Sequence, residues 1–377
     1  MKVLVYYPIF RDVDTHTSVN KKFSEIIDAF NYLNIELDII HFATTGIYFN
    51  DTCLFSFSSN KYIRRWQHLS KFDVINKTLI HKSYDFVWIR AGLITPWFWS
   101  FTKQCKSVAK KVIYEYGTFP FIKEINSRFD KSWSITNFIY SKSLHNYVDF
   151  IITYCGQDEI YNIPCIKMGN GIDKNIIQPT TPLKEKNVLH LIMVSSVFYW
   201  HGIDRMIEGL ANYYLQQNPK KEIQLMIIGR GSESNTLQSL VKEKALDSYV
   251  TFYGEKYGES LKKLYDKAHV GVGALAVHRK NIVEESTLKA REYAAVGLPI
   301  ILAAHDRDFE TVSQFIFKVP LDDSPIELNK LVDFFESLQA NNPNYSSELK
   351  NFTQKHLTWE AKIQKVIQLL FPTKTNP

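Results

Sequence analysis

The sequence has few cysteines and no long apolar segment. Its four Cys residues are scattered over 377 residues without a C-x-x-C pair, which argues against structural zinc and favours free thiols in a reducing compartment. No apolar run reaches the roughly 18 residues of a membrane-spanning helix. The apolar stretch from Val3 to Phe10 is short, contains Pro8 and runs into charged residues, so we expect no signal peptide and a cytoplasmic location.

The excess of positive over negative charge is also small, because the chain has 45 Lys and Arg and 39 Asp and Glu. With 45% hydrophobic and 22% charged residues, the composition is that of a soluble globular protein and excludes wholesale disorder. A chain of this length suits two domains of ordinary size.

The positive charge is concentrated between residues 51 and 150, where 15 Lys and Arg face only 7 Asp and Glu. The same region holds five tryptophans, Trp66, Trp88, Trp97, Trp99 and Trp133. Basic residues among tryptophans suit an anionic membrane surface, although core tryptophans beside solvated lysines would give the same pattern. No motif indicates nucleic-acid binding.

Short apolar runs alternate with amphipathic segments along the first half. A helix face is predicted between Val19 and Leu33, where apolar residues recur at spacings of three and four. Strands are predicted at residues 2–8, 35–40, 84–89, 111–114 and 150–153.

The second half repeats this plan, which indicates βαβ units and parallel sheets. Strands are predicted at 188–194, 223–228, 250–252, 270–272 and 299–302, and helices at 201–214, 236–244 and 260–267. Two prolines and a charge run at 178–186 mark a linker. We therefore expect an α/β fold of two Rossmann-like domains facing each other across a cleft. An anionic ligand, such as a nucleotide, is expected beyond the carboxyl ends of the strands.

Two glutamates eight residues apart, Glu284 and Glu292, flank a predicted helix start at Ser286. The backbone N–H groups near Ser286, Thr287 and Leu288 would then be free to cradle a phosphate. Each carboxylate could accept two hydrogen bonds from a vicinal diol of a ribose or hexose. An ordinary charged helix would show the same spacing.

In its second half the sequence resembles the GT-B glycosyltransferases of family 4. Their motif of two Glu separated by seven residues stands here as Glu284…Glu292, followed by the strand entry Ala295-Val-Gly-Leu-Pro299. Further family features occur in order at residues 170–173, 200–205, 228–232, 250–254, 264–268 and 357–359. The first half resembles the family more weakly. There, residues 114–121 look like a pattern in enzymes that build bacterial capsular or other surface glycans.

The resemblance implies roles for these residues. Glu284 would bind donor-sugar hydroxyls and orient the anomeric carbon, and Glu292 would hold the ribose. Ser286, Thr287 and Leu288 would contact the diphosphate, and Tyr253 would lie near the base. The backbone at Gly202, Gly229 and Gly231 would approach the nucleotide, although glycines at such turns are as often purely conformational.

The sequence departs from the family at one important place. Many members have an Arg and a Lys where this chain has Ser196 and His201, and those cations neutralise the leaving diphosphate. Lys289 is the first candidate replacement, with Arg230 and Arg291 next. His201 either donates a hydrogen bond, more strongly if protonated, or merely caps and packs. A degenerate, inactive domain is a further alternative.

The acceptor side is expected in the first domain, with Asp14, His16 and Glu115 as candidate polar groups. Asp12-Val-Asp14 matches the DxD metal motif of the other large glycosyltransferase fold, but it lies where a GT-B acceptor loop is expected. We therefore expect no catalytic metal and no cofactor besides the nucleoside diphosphate sugar itself.

These features predict a retaining enzyme that moves a hexose or N-acetylhexosamine, with UDP favoured as carrier. The expected acceptor is a lipid-linked or oligosaccharide bacterial surface glycan (capsule, lipopolysaccharide or exopolysaccharide) at the inner face of the membrane. Residues 1–173 would form the acceptor-binding domain and residues 187–355 the donor-binding domain, with residues 174–186 as the linker between them. A helix in residues 356–377 would pack back on the first domain. Two rivals are a nucleotide-sugar epimerase on the same fold and a two-lobed binding protein.

Overall fold

The computed structural model describes residues 1–10, 18–117, 119, 134–154, 156–176, 187–216 and 219–372. It divides into two compact units. The first unit comprises residues 1–169 together with 362–377, and the second unit comprises residues 170–361. Each unit is built around its own β-sheet.

The described part of the first unit contains a nine-stranded sheet in the order β4-β3-β2-β1-β5-β6-β7-β9-β8. The strands are β1 Lys2–Phe10, β2 Glu36–Ala43, β3 Gly46–Phe49, β4 Thr52–Ser56, β5 Tyr84–Arg90, β6 Ala109–Tyr116, β7 Phe150–Thr153, β8 Glu159–Ile160 and β9 Ile163–Lys167. In the middle of the sheet, neighbouring strands in the series β2-β1-β5-β6-β7-β9 pair in parallel. At the edges, β3 and β4 on one side and β8 on the other pair antiparallel.

Five helices accompany this sheet within the described residues, and those at 18–32, 72–79 and 96–108 bury apolar side chains. They are Ser18–Tyr32, Lys61–Ser70, Phe72–Leu79, Pro96–Val108 and Ser134–Ser141. The terminal helix Trp359–Leu370 runs from the second unit into the first. Just beyond it, the ring of Phe371 lies 6.4 Å from that of Phe86 in β5, so the chain end packs on the first unit, as expected.

The second unit contains a six-stranded, all-parallel sheet in the order β12-β11-β10-β13-β14-β15. Its strands are β10 Val188–Val194, β11 Glu222–Ile228, β12 Val250–Gly254, β13 Val270–Val272, β14 Ile300–Leu302 and β15 Ile316–Lys318. Counted within this unit the order is 3-2-1-4-5-6, that of a doubly wound dinucleotide-binding sheet. The strand order reverses between β10 and β13, and ligands of such sheets bind at the carboxyl ends there.

The helices of the second unit cover both faces of the sheet. They are Ile203–Tyr214, Ser234–Glu243, Gly258–Lys267, Leu288–Ala295, Leu328–Asn341 and Tyr345–His356. None of the helices formed by the described residues is long and apolar enough to cross a membrane.

Most predicted elements are confirmed, and the strands at 150–153, 188–194 and 270–272 agree to the residue. The predicted helix 201–214 is wrong at its start, because Gly202 adopts a left-handed conformation (φ 68°) that separates a short 3-10 turn from the helix. The antiparallel edge strands were not predicted. Cys53, Cys105 and Cys165 are free thiols, as predicted, and Cys155 lies outside the described residues.

Candidate active site

The helix Leu288–Ala295, called the site helix from here on, is tied to the point where the second sheet reverses its strand order. The hydroxyl of Tyr293 accepts a hydrogen bond from the N–H of Val194 at 2.9 Å and donates one to the carbonyl of Val272 at 3.2 Å. Val194 ends β10 and Val272 ends β13. The site helix is therefore placed at the carboxyl ends of the two strands where a nucleotide is expected.

The site helix begins with open hydrogen-bonding groups. Thr287 occupies the N-cap position in an extended conformation and makes no capping hydrogen bond. Its hydroxyl is buried without a hydrogen-bond partner among the described residues. The first N–H groups of a helix have no partner within the helix, so this end can receive an anion, helped by the helix dipole.

The predicted helix start at Ser286 is two residues too early, since helical structure begins at Leu288. Ser286 forms hydrogen bonds with Asn170. Its hydroxyl accepts a hydrogen bond from the N–H of Asn170 at 2.7 Å, and its carbonyl accepts one from the Asn170 amide. Ser286 therefore anchors residue 170 beside the start of the site helix, while its hydroxyl keeps its own O–H donor.

Lys289 lies in the first turn of the site helix with its side chain only 8% exposed. Its ammonium has no hydrogen-bond partner among the described residues. Burial lowers the pKa of Lys289 to about 8, although the nearby carboxylate of Glu285 opposes that shift. Burial raises the pKa of Glu285 to about 7, with Lys289, Arg291 and Lys318 opposing and Asp306 adding to the shift. A cation held without a fixed partner is suited to an incoming anion.

His201 does not supply the second positive charge that the sequence suggested. Burial, together with the nearby positive charge of Lys289, lowers the pKa of His201 to about 3. The ring is neutral near pH 7, where its Nδ1 accepts a long hydrogen bond of 3.4 Å from the N–H of Phe198. The protonated form of His201 is therefore disfavoured near pH 7, and the long hydrogen bond to Phe198 fits the capping and packing alternative.

Arg291 is fully buried and committed to partners within the protein. Its guanidinium forms ion pairs with Asp306 and Asp308, including a 2.8 Å hydrogen bond to Asp306 Oδ1. It also donates to the carbonyls of Thr287 at 3.2 Å and Asn170 at 3.3 Å. With all of these contacts in place, Arg291 holds the start of the site helix, which differs from the donor contact that the sequence suggested.

The two glutamates of the sequence motif lie in different surroundings. Glu284 precedes the site helix, and its backbone forms an isolated parallel β-bridge with His305. Its carboxylate forms an ion pair with the half-exposed Arg307. Glu292 lies in the second turn of the site helix, where its Oε2 accepts a hydrogen bond of 3.2 Å from the hydroxyl of Tyr265. Both carboxylates therefore have partners that fix their orientation.

The glycines near the site have packing reasons of their own. A Cβ on Gly229, whose φ is 124°, would strike the carbonyl of Ser195, and one on Gly231 would strike the carbonyl of Val197. At Gly202 a Cβ would meet Leu275 and Ala276. Close approach of neighbouring loops accounts for all three residues, which favours the conformational reading of these glycines.

Arg230 remains an available cation. Its guanidinium lies over Gly254, about 3.5 Å from where a Cβ would stand, beyond β11 and next to the end of β12. No hydrogen bond or ion pair ties that guanidinium to the described part of the chain. Tyr253, at the end of β12, is half-buried against the apolar core of this unit.

On the first unit, Glu115 is fully buried at the end of β6 and is not a free acceptor-side group. Arg90 at 2.7 Å, Lys22 at 3.0 Å, the Trp88 indole N–H at 2.7 Å and the Tyr154 hydroxyl at 3.0 Å all contact its carboxylate. Burial alone would raise the pKa of Glu115, but the two cations outweigh it and lower the pKa to about 2.

The other acceptor-side candidates, Asp14 and His16, lie outside the described residues, as does Asp12. Among the residues that the structure describes, no three His, Cys, Asp or Glu side chains are grouped so that they could hold a metal ion.

Sequence reasoning missed several residues of this site. Glu285 lies in the loop before the site helix, one position after Glu284, and no helical spacing indicates that it approaches Lys289. Tyr293, Asp306 and Asp308 act through contacts across 15 to 99 positions of the chain, and no local pattern indicates them.

Known proteins similar to this chain bear on its class. Residues 174–354, just under half of the chain, match the family model described as Glycosyl transferases group 1. That stretch includes β10 to β15 and the whole site helix. Among curated proteins, no sequence is similar enough to this chain to count as a match.

Solved structures resemble the chain over almost its whole length. A glycosyltransferase from Rickettsia africae has a TM-score of 0.63 at 15% identity and covers 100% of this chain and 99% of its own. Sucrose-phosphate synthase from Thermosynechococcus elongatus has a TM-score of 0.61 at 16% identity, covering 98% of both chains. Anabaena HepE in complex with UDP has a TM-score of 0.59 at 12% identity, covering 98% and 99%.

The two Rossmann-like units thus form a GT-B fold. With the transferase domain that occupies the second unit, the chain is a glycosyltransferase. The match is to sugar transferases, so the epimerase alternative is not favoured.

Replacing Arg291 by Met tests whether its role is structural. We expect the free energy of unfolding in urea to fall by about 3–5 kcal/mol, because the buried carboxylate of Asp306 and the partly buried one of Asp308 lose their cation. Lys263→Met, at an exposed position of the helix Gly258–Lys267, should change it by no more than about 0.5 kcal/mol. An R291M variant of unchanged stability that fails to bind nucleotide would instead assign Arg291 to the donor.

Proposed function

We propose that the enzyme is a retaining family-4 glycosyltransferase that transfers a hexose or N-acetylhexosamine from a nucleoside diphosphate sugar, with UDP favoured. The acceptor is a growing, lipid-linked bacterial surface glycan at the cytoplasmic face of the membrane. In this proposal residues 187–355 bind the donor, and residues 1–173 bind the acceptor.

One observation carries the donor part of this proposal. At the carboxyl ends of the second sheet, the buried hydroxyl of Thr287 and the buried ammonium of Lys289 have no hydrogen-bond partner among the described residues. Leaving such groups unpaired costs about 1–3 kcal/mol each, and more for a charged group. A ligand that restores their hydrogen bonds recovers this free energy. At a helix N-terminus beside a lysine, that ligand is an anion such as a diphosphate.

Proteins of the same fold support the choice of ligand. HepE from Anabaena has been solved with UDP, and also with UDP-glucose at a TM-score of 0.54. WaaB, which has a TM-score of 0.59 to this chain, is a lipopolysaccharide outer core galactosyltransferase. These relatives favour a UDP-sugar donor and a surface-glycan acceptor for this chain.

In the proposed reaction the leaving diphosphate gains negative charge in the transition state, and Lys289 with Arg230 stabilises it. The N–H groups of Thr287 and Leu288 hold the diphosphate. Glu292, oriented by Tyr265, binds the ribose hydroxyls. Glu284, held by Arg307, binds hydroxyls of the donor sugar and orients its anomeric carbon toward the acceptor.

A thermal-shift panel of UDP, GDP, ADP and CMP tests the donor. A nucleotide at 100 times its dissociation constant stabilises the protein by about 2.7 kcal/mol, and we expect UDP to give the largest shift. The Glu292→Gln variant should lose most of that shift, whereas Glu259→Gln, at an exposed position, should keep it. Equal, negligible shifts with all four nucleotides would contradict the donor assignment.

Replacing Lys289 by Met should reduce turnover by orders of magnitude.

The affinity of the wild-type enzyme for its donor should fall as pH rises. The Lys289 ammonium loses its proton as pH rises through about 8, and Glu285 becomes negative as pH rises through about 7. Both changes disfavour a bound diphosphate, so affinity should fall between pH 7 and 9. Calorimetry with UDP-glucose, whose diphosphate keeps its charge over this range, measures the change.

Two variants separate the contributions of this pair. Glu285→Gln should remove the part of the pH dependence near pH 7, and Lys289→Met should remove the part near pH 8 along with most of the affinity. If K289M turns over sugar at nearly the normal rate, Lys289 is not the cation that stabilises the leaving group.

Membrane contact is proposed through the helix Lys61–Ser70 of the first unit. Its exposed residues include three large hydrophobic ones, Tyr62 at 82%, Ile63 at 49% and Trp66 at 46% exposure. Lys61, Arg64 and Arg65 accompany them on the same helix. Trp88 of the basic region belongs instead to the core. Aromatic side chains at headgroup depth and cations near anionic lipids are the features of a peripheral membrane helix.

Cosedimentation with vesicles tests this contact. We expect the enzyme to partition to vesicles with anionic lipid and to lose about 1 kcal/mol of binding free energy for each Arg removed in Arg64→Gln and Arg65→Gln. Lys263→Met, on the second unit, serves as the control for loss of one charge. Equal partitioning to neutral and anionic vesicles would remove the electrostatic part of the proposal.

A further inference from the structure

The first unit contains a cavity of about 240 Å³ that the reaction described above does not use. Most of its lining is apolar, with Tyr6, Phe42, Phe72, Leu93 and Phe98 among the residues around it. Several of these rings pack against one another; those of Tyr6 and Phe98, for example, lie 5.8 Å apart. The walls are therefore preformed by the core of this unit.

The cavity lies at the edge of the sheet where a ligand is expected. Pro8 near the end of β1 and Arg90 at the end of β5 both line it. β1 and β5 are adjacent parallel strands in the middle of the sheet, and ligands of such sheets bind beyond the carboxyl ends.

One side of the cavity is positively charged. Arg90 lines it, while one of its nitrogens donates to Glu115 at 2.7 Å. Lys22 shares the same carboxylate at 3.0 Å. The other two contacts of Glu115, from Trp88 and Tyr154, are neutral. Lys22 also interacts with the carboxylate of Glu25 and does not line the cavity, so Arg90 is the cation that the lining offers to an anionic ligand group.

The cavity also adjoins the helix proposed to contact the membrane. His68 and Leu69 line the cavity from the helix Lys61–Ser70. The same helix exposes Tyr62 and Trp66 to solvent. A hydrophobic chain that leaves a membrane surface at this helix thus has an apolar cavity directly behind it.

We propose that this cavity is the subsite for the lipid end of the acceptor, binding the phosphate of a lipid phosphate beside Arg90 and the first carbons of its chain among the aromatic rings. The inference rests on the proposed function for the existence of a lipid-linked acceptor. At about 240 Å³ the cavity has room for a short stretch of hydrocarbon chain.

Gly92 offers a way to close the cavity without disturbing the fold. It lines the cavity, and a Cβ built on it meets nothing within 4 Å. Its φ lies outside the left-handed region, so a larger residue is not strained there. Gly92→Leu should fill the space. Ser83→Leu, at an exposed position just before β5 and so at the opposite end of that strand, adds the same side chain away from the cavity.

The experiment measures binding to the full-length protein with three probes: octyl phosphate below its critical micelle concentration, octyl glucoside and inorganic phosphate. We expect octyl phosphate to raise the melting temperature of the wild-type protein by about 3–6 °C and to bind at least about tenfold more tightly than either other probe. Gly92→Leu should abolish this binding, and Ser83→Leu should retain it.

Three results would overturn the inference. Equal binding of inorganic phosphate would indicate a phosphate site without a chain subsite. Equal binding of octyl glucoside would indicate a pocket indifferent to charge, and unchanged octyl phosphate binding by G92L would place the amphiphile elsewhere. UDP binding, measured on the same samples, reports on the second unit alone. G92L should leave it unchanged, so failure of the donor assignment and failure of this subsite give different results.

Discussion

A single buried guanidinium, that of Arg291, holds the start of the site helix in place. It pairs with Asp306 and Asp308 and donates to the carbonyls of Asn170 and Thr287. A charge removed from water is tolerated only while all its partners are present, so the helix start cannot shift without unpairing these groups. The open N–H groups and the Thr287 hydroxyl are thereby kept at the carboxyl ends of β10 and β13, where a diphosphate can reach them.

Lys289 shows how burial changes the electrostatic properties of a cation at the start of the site helix. Its ammonium is shielded from water, so its attraction to a diphosphate is stronger than that of a solvated lysine. The same burial lowers its pKa to about 8 and brings its titration close to physiological pH. Glu285 partly offsets that effect, which makes this carboxylate, absent from the sequence motif, part of the electrostatics of the site.

Much of the fold could be predicted from the sequence because the buried parallel strands are continuous apolar runs. The strands Val188–Val194 and Val270–Val272 are examples. The edge strands β3 and β4 could not be predicted in the same way. All five residues of β4 are partly or fully exposed, so its sequence carries little hydrophobic pattern, and its pairing depends on β3 beside it.

The sequence by itself determined the two-domain α/β plan, the glutamate pair around a helix start and the resemblance to a glycosyltransferase family, since all of these are local patterns of apolar and charged residues. Only the tertiary structure decided what each polar group faces. Arg291 and Glu115 lie in buried ion pairs, and burial keeps His201 neutral. Lys289 is buried without a hydrogen-bond partner among the described residues. Burial and partners far along the chain set the charge and availability of a side chain, and neither can be read from its neighbours in sequence.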